Sequence, residues 1–133
     1  MSLGFVSAVL LTVFALVSTW SGTKESADKT CREHPQLVGK CFRVRGKLSV
    51  YNGAPAVRLL NTATRRMLGI SEQRFNLAGY RNLPESIQQQ LNQDTDLVGD
   101  FLVCPFTKSK PREMQLICIE SVRNLEVRKR NGL

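Results

Sequence analysis

The sequence predicts a small, mainly β domain of five strands and one helix behind an N-terminal hydrophobic leader. Three observations predict it. From Ser2 to Thr23 the chain carries no charge, and residues 3–17 are almost wholly apolar. From Phe42 onward, apolar and polar residues alternate in short runs broken by turn residues, the period-two pattern of half-buried strands. Only residues 83–91 carry helical spacing instead.

The leader fits a cleaved signal peptide, whose apolar stretch is roughly 7–15 residues long. Ser18, Thr19, Ser21 and Gly22 follow it, so a cut after Ser21 leaves Thr19 at the minus-three position. The alternative is an uncleaved anchor. A spanning helix needs about 20 apolar residues, a length reached only by counting Ser, Thr and Trp20, with Trp20 at the interface. Length favours cleavage. The expected organisation is a leader over 1–21, a polar linker over 22–40, a β domain over 41–128 and a basic tail over 129–133. The expected location is outside the cytoplasm, periplasmic or extracellular, with an N-terminal membrane anchor as the alternative.

In the first strand, Phe42, Val44, Gly46, Leu48 and Val50 share one face, and Arg43, Arg45, Lys47, Ser49 and Tyr51 share the other. Gly46 within it predicts a bend or bulge. Asn52-Gly53 is a strong hairpin signal. The return strand spans 55–60, with Val57 and Leu59 inward, Arg58 outward and Pro55 at its start, where a missing N–H does least harm. Residues 61–64 read as a turn and 65–70 as a third strand, with Leu68 and Ile70 in the core. Residues 71–81 have no clear period and read as a loop. Over 83–91, Pro84 suits the first turn of a helix, Glu85 complements its dipole, and Leu83, Ile87 and Leu91 recur four apart on one face. Residues 96–106 form a fourth strand interrupted by Gly99. Residues 114–127 form a fifth strand or a pair, apolar on both faces at Leu116, Ile117, Cys118 and Ile119. Arg128-Lys129-Arg130 opens a tail expected to fray. Three strands, a helix and two strands is the order of an OB-like barrel, and Gly46 and Gly99 stand where such a barrel needs to bend.

Four cysteines, Cys31, Cys41, Cys104 and Cys118, in a small exported chain predict disulfides. Three connectivities exist. Cys104 and Cys118 flank a turn-like stretch over 107–112 and are placed to face each other across a hairpin, which leaves Cys31 to bond Cys41 around His34 and Pro35. Zinc is the alternative, because Cys31-x-x-His34 has ligand-like spacing. No Cys-x-x-Cys knuckle supports it, and no metal or cofactor is assigned. His34 is expected to be a solvated loop residue.

All 19 Lys and Arg and all 11 Asp and Glu lie beyond Thr23, so the domain keeps the net charge of +8. That balance favours an anionic partner, although a solvated basic surface accounts for it equally well. Catalytic motifs are missing: there is one His, no Gly-x-Ser-x-Gly elbow and no phosphate-cradling glycine loop. Asp94, Asp96, Asp100, Glu113 and Glu120 are the carboxylates a glycan-processing enzyme would draw on, but their spacing marks only turns and strand ends. The expectation is therefore a non-enzymatic exported binding module for an acidic glycan or lipid head group. Arg43, Arg45, Arg58 and Arg66 would form its basic strand face, and Tyr51 would stack or hydrogen-bond. Arginine forks suit phosphate, sulfate and carboxylate. Nucleic acid is disfavoured, because single-strand platforms need several exposed rings and Phe42, Phe101 and Phe106 read as core. The alternative is an envelope protein-interaction or structural module that docks a protein partner through a strand edge.

Residues 43–58 (RVRGKLSVYNGAPAVR) and 65–70 (RRMLGI), with the later blocks 99–106 (GDFLVCPF) and 114–125 (MQLICIESVRNL), resemble an uncharacterised family of small exported bacterial proteins. The resemblance covers about residues 41–127. It implies export and a bacterial source, and it implies no activity.

Overall fold

The computed structural model describes Gly4, residues 29–71 and residues 73–130. The leader, the first part of the expected linker and residues 131–133 of the tail lie outside the described residues. The fold is mainly β. One sheet contains β1 (Phe42–Val50), β2 (Val57–Asn61), β3 (Met67–Ile70), β4 (Thr95–Pro105) and β5 (Gln115–Lys129). β1 pairs antiparallel with both β2 and β4, β2 with β3, and β5 with β4; β3 runs parallel to β5. The ladder thus closes in the order β1-β2-β3-β5-β4.

Alternation fills the interior. Val44 and Leu48 of β1, Leu59 of β2, Ile70 of β3, Phe101 and Val103 of β4, and Ile117 and Ile119 of β5 are almost wholly buried. Gly46 and Gly99 are register partners on β1 and β4. A Cβ at Gly46 would stand 2.5 Å from the Leu60 carbonyl oxygen, and one at Gly99 2.9 Å from Val122 Cγ2. Both strands therefore bend where only a missing side chain lets neighbours approach. Opposite Gly99, the β4–β5 register shifts between Val98 and Asp100, and Asn124 takes φ 54°, a bulge that twists β5.

Several expectations need correction. Phe42 is 36% exposed, because β1 begins at the barrel end, beyond the reach of the core. The β1–β2 connection is wider than a two-residue hairpin. Pairing resumes only at Val57, after Pro55, which has no N–H to give, and Tyr51 N–H donates to Ala56 O. The third strand starts at Met67, since Arg65 takes φ 60°. The helix is a single turn, α1 (Glu85–Gln88). Thr95 Oγ1 takes up the Gln90 carbonyl and Asn92 Oδ1 accepts Asp94 N–H, which turns the chain into β4. Ile87 is still fully buried under the barrel, with Leu83 and Leu91 beside it. The chain does not fray at Arg130, whose N–H donates to Asp94 O at 2.7 Å. Among the described residues no helix is long and apolar enough to cross a membrane.

The disulfides are Cys31–Cys118 and Cys41–Cys104, not the pairing the hairpin suggests. Cys104 and Cys118 do stand opposite each other on β4 and β5. However, β1 also pairs with β4, with Phe42 opposite Val103, which brings Cys41 to Cys104. Cys31 reaches Cys118 from a 3₁₀ turn (Cys31–Glu33) held on β5 by Arg32 N–H donating to Glu120 Oε2 at 2.7 Å. Residues 29–40, within the stretch expected to be a linker, thus pack on the barrel. They enclose a second small core of Cys31, Cys104, Phe106 and Cys118, with Leu37, Phe75 and Leu116 against it.

Candidate functional site

The expected basic face is a mixed one. Register sets Arg45 opposite Asp100, and its Nη1 donates to Asp100 Oδ1 at 3.0 Å. Asn124 Nδ2 donates to the other carboxylate oxygen, also at 3.0 Å. These bonds, that from Asn124 first and that from Arg45 second, hold the Asp100 carboxyl below its ordinary range. Glu126 is held down likewise by the fork of Arg128. Arg43 is exposed on β1.

At the far end of β1, Ser49, expected on the outward face, is buried at 1% exposure because it bonds Asp96 beneath Arg130. Ser49 Oγ donates to Asp96 Oδ1 at 2.5 Å, and Arg130 Nε and Nη2 donate to the same oxygen at 3.1 and 3.0 Å. Burial opposes ionisation there, but the Ser49 and Arg130 bonds and the Arg130 charge outweigh it, so the Asp96 carboxyl lies below its usual range. Tyr51 lies between two guanidinium groups, Arg58 at 5.1 Å and Arg130 at 5.6 Å from its ring centre. Arg58 Nε donates to Pro55 O at 2.9 Å, which fixes the β1–β2 loop.

Arg66 belongs to the opposite end of the barrel. Its Nη1 donates to Ser109 Oγ at 2.6 Å and its Nη2 to Lys110 O at 2.7 Å, tying the β2–β3 loop to the β4–β5 loop. The five expected contact residues are therefore not one surface: Arg43 and Arg45 lie along β1, Tyr51 and Arg58 at one end, and Arg66 at the other. Asn61 shapes the first loop by accepting Ala63 and Thr64 N–H. Thr107 Oγ1 closes the second by accepting Leu116 N–H. Arg65 and Arg112 hold φ 60° and 62° in these loops, a region where side chains other than Gly or Asn are strained. Arg65, Arg66, Lys108, Lys110 and Arg112 are all exposed, and none is ion-paired among the described residues. In the sequence, 107–112 reads only as a turn. The signal that marks the site is the run Lys108-Ser109-Lys110-Pro111-Arg112 itself.

Three of the five candidate carboxylates are committed to structure. Asp96 and Asp100 serve arginines, and Glu120 serves a backbone N–H. His34 is 3% exposed, not solvated. Its Nδ1 accepts Gln36 N–H and its Nε2 faces Phe75 O, both at 3.1 Å, while Phe106 meets it edge-on at 4.6 Å. The Sγ atoms of Cys31, Cys104 and Cys118 lie within 4.8 Å of one another, but each sulfur is already in a disulfide. The cleft between Pro55, Ser71, Arg74 and Leu116 holds about 200 Å³, and an open depression lined by Arg32, Leu37, Gly39, Lys40 and Cys41 holds about 340 Å³, against the roughly 300 Å³ at which small-molecule pockets begin. Comparison with protein-family models, with curated proteins and with solved structures found no match.

Proposed function

We propose that this chain is an exported OB-like module that binds an anionic ligand without catalysing a reaction on it. The observation that carries the reading is the pair of tied loops presenting five cations with no ion pair among them. Arg45, Arg81, Arg128 and Arg130 meet carboxylates elsewhere, whereas these two loops hold five exposed cations against one carboxylate, Glu113. The closed strand order, with one helical turn between β3 and β4, is that of an OB-fold. Two disulfides fit an oxidising compartment.

The test is binding of the oxidised chain to dextran sulfate, single-stranded DNA and neutral dextran across a salt series. The chain is expected to bind polyanion with affinity that falls steeply with salt, and K108Q/K110Q/R112Q is expected to flatten the slope by roughly two to three units. An unchanged slope would favour a second reading, docking of a protein partner. Its support is the outer edge of β5. β3 pairs with β5 only as far as Ile117, and among the described residues no strand covers that edge over 120–129.

A further inference from the structure

The strand directions place many features at one end of the barrel. β1 begins, β2 ends, β3 begins, β4 ends and β5 begins there, as Phe42↔Val103, Leu68↔Gln115 and Pro105↔Ile117 require. Both cationic loops leave from this end. Residues 29–34 also join the barrel here, since Cys31 is bonded to Cys118 and Cys118 faces Cys104. The uncharged residues 2–23 lie just upstream in sequence.

Exposed apolar side chains share this end. Of the four large hydrophobic residues exposed among the described residues, Val38 (49%) and Phe42 (36%) stand beside the end of β4. Val38 N–H donates to Pro105 O, Phe42 lies opposite Val103, and exposed Lys40 stands between them in sequence. A soluble polyanion needs only the cations. Cations and exposed apolar side chains at one end of the barrel match the boundary between lipid head groups and acyl chains, where charge attraction and apolar burial add.

We propose that the ligand is an acidic membrane surface. The loop end of the barrel lies on anionic lipid, with Arg65, Lys108, Lys110 and Arg112 on the head-group phosphates and Val38 and Phe42 entering the interface. Arg66 positions these cations by holding the loops together. The proposal rests on the anionic-ligand reading and names its source.

The test is co-sedimentation of the full oxidised chain with vesicles of phosphatidylcholine alone or mixed with phosphatidylglycerol. The ratio of the two affinities cancels whatever residues 1–28 contribute equally to both. K108Q/K110Q/R112Q is expected to lower that ratio on the order of a hundredfold, at about one kcal/mol per cation. R123Q/R128Q/K129Q, which removes the same charge from β5, is expected to leave it within about threefold. F42S is expected to weaken vesicle binding roughly fivefold and to leave dextran sulfate binding unchanged. Loss of dextran sulfate binding in the loop variant, with no preference of the parent chain for anionic vesicles, overturns the membrane assignment and keeps the anionic-ligand reading. A loop variant equal to the parent on both ligands overturns both. Non-reducing peptide maps showing Cys31–Cys118 and Cys41–Cys104, with a circular dichroism spectrum equal to the parent's, certify that each variant is folded.

Discussion

At the scale of single residues the Asp96 node has the clearest consequence. Its side chain is only 14% exposed and receives Ser49 and both nitrogens of the Arg130 fork on one oxygen. Removing the fork leaves a largely buried carboxylate short of donors. Arg130→Ala is therefore expected to cost about 1.5–3 kcal/mol in urea unfolding; a loss under about 0.5 kcal/mol would show that Arg130 is held only loosely. The pH dependence has a definite sign. The carboxyl is depressed in the folded state, so its contribution is fully present above the unfolded carboxylate range near pH 4 and is lost as pH falls through the lower folded value. Asp96→Asn is expected to be less stable at pH 7 and to lose less on acidification to about pH 2.5. Parallel acid profiles for the two proteins would contradict this.

At the scale of elements, the bends and staples decide the shape. Gly46→Ala would push a methyl group to 2.5 Å from Leu60 O and 2.8 Å from Leu59 Cδ1. Backbone cannot yield as a side-chain tip can, so a loss of about 1–3 kcal/mol is expected in denaturant melts. The two disulfides close loops with sequence separations of 87 and 63 residues. Because loop entropy grows only with the logarithm of length, the C31A/C118A and C41A/C104A variants are expected to lose similar amounts, about 4.5 kcal/mol each as an upper figure. Peptide mapping without reduction checks the connectivity directly: a 31–118 linked peptide is expected, and a 104–118 one would refute it. The strands were legible in the sequence because alternation is local; the glycine bends were legible because each breaks its own alternation. The disulfide pairing was not. Cys104 and Cys118 do face each other, and only the non-local β1–β4 register and the packing of 29–34 on β5 redirect each sulfur. The partners of the candidate residues were hidden for the same reason. Arg45 looks free along β1, but its partner Asp100 is 55 residues away.

At the scale of the whole molecule there are two cores. The larger is the barrel interior, filled by strand residues and Ile87. The smaller lies at the loop end, where Cys31, Cys104, Phe106 and Cys118 meet Leu37, Phe75 and Leu116. Phe75 stacks on Phe106 at 4.4 Å, and buried His34 meets both, facing Phe75 O through Nε2 and the Phe106 ring edge-on. This second core has few side chains and includes both disulfides, so covalent bonds make up for the apolar area it lacks. The cationic loops spring from its rim: Phe106 and Thr107 N–H both donate to Leu116 O at the base of the β4–β5 loop. Reduction is therefore expected to act unevenly. In hydrogen exchange of the reduced chain, amides over 29–41 and 104–118 are expected to lose protection well before Leu48, Leu59 and Leu97, which lie in the barrel interior. Polyanion affinity is expected to fall in step, because the loops lose the base that sets the spacing of their charges. A uniform loss of protection across both regions would mean that the two cores unfold as one cooperative unit and that the disulfides hold the whole barrel, not only its binding end.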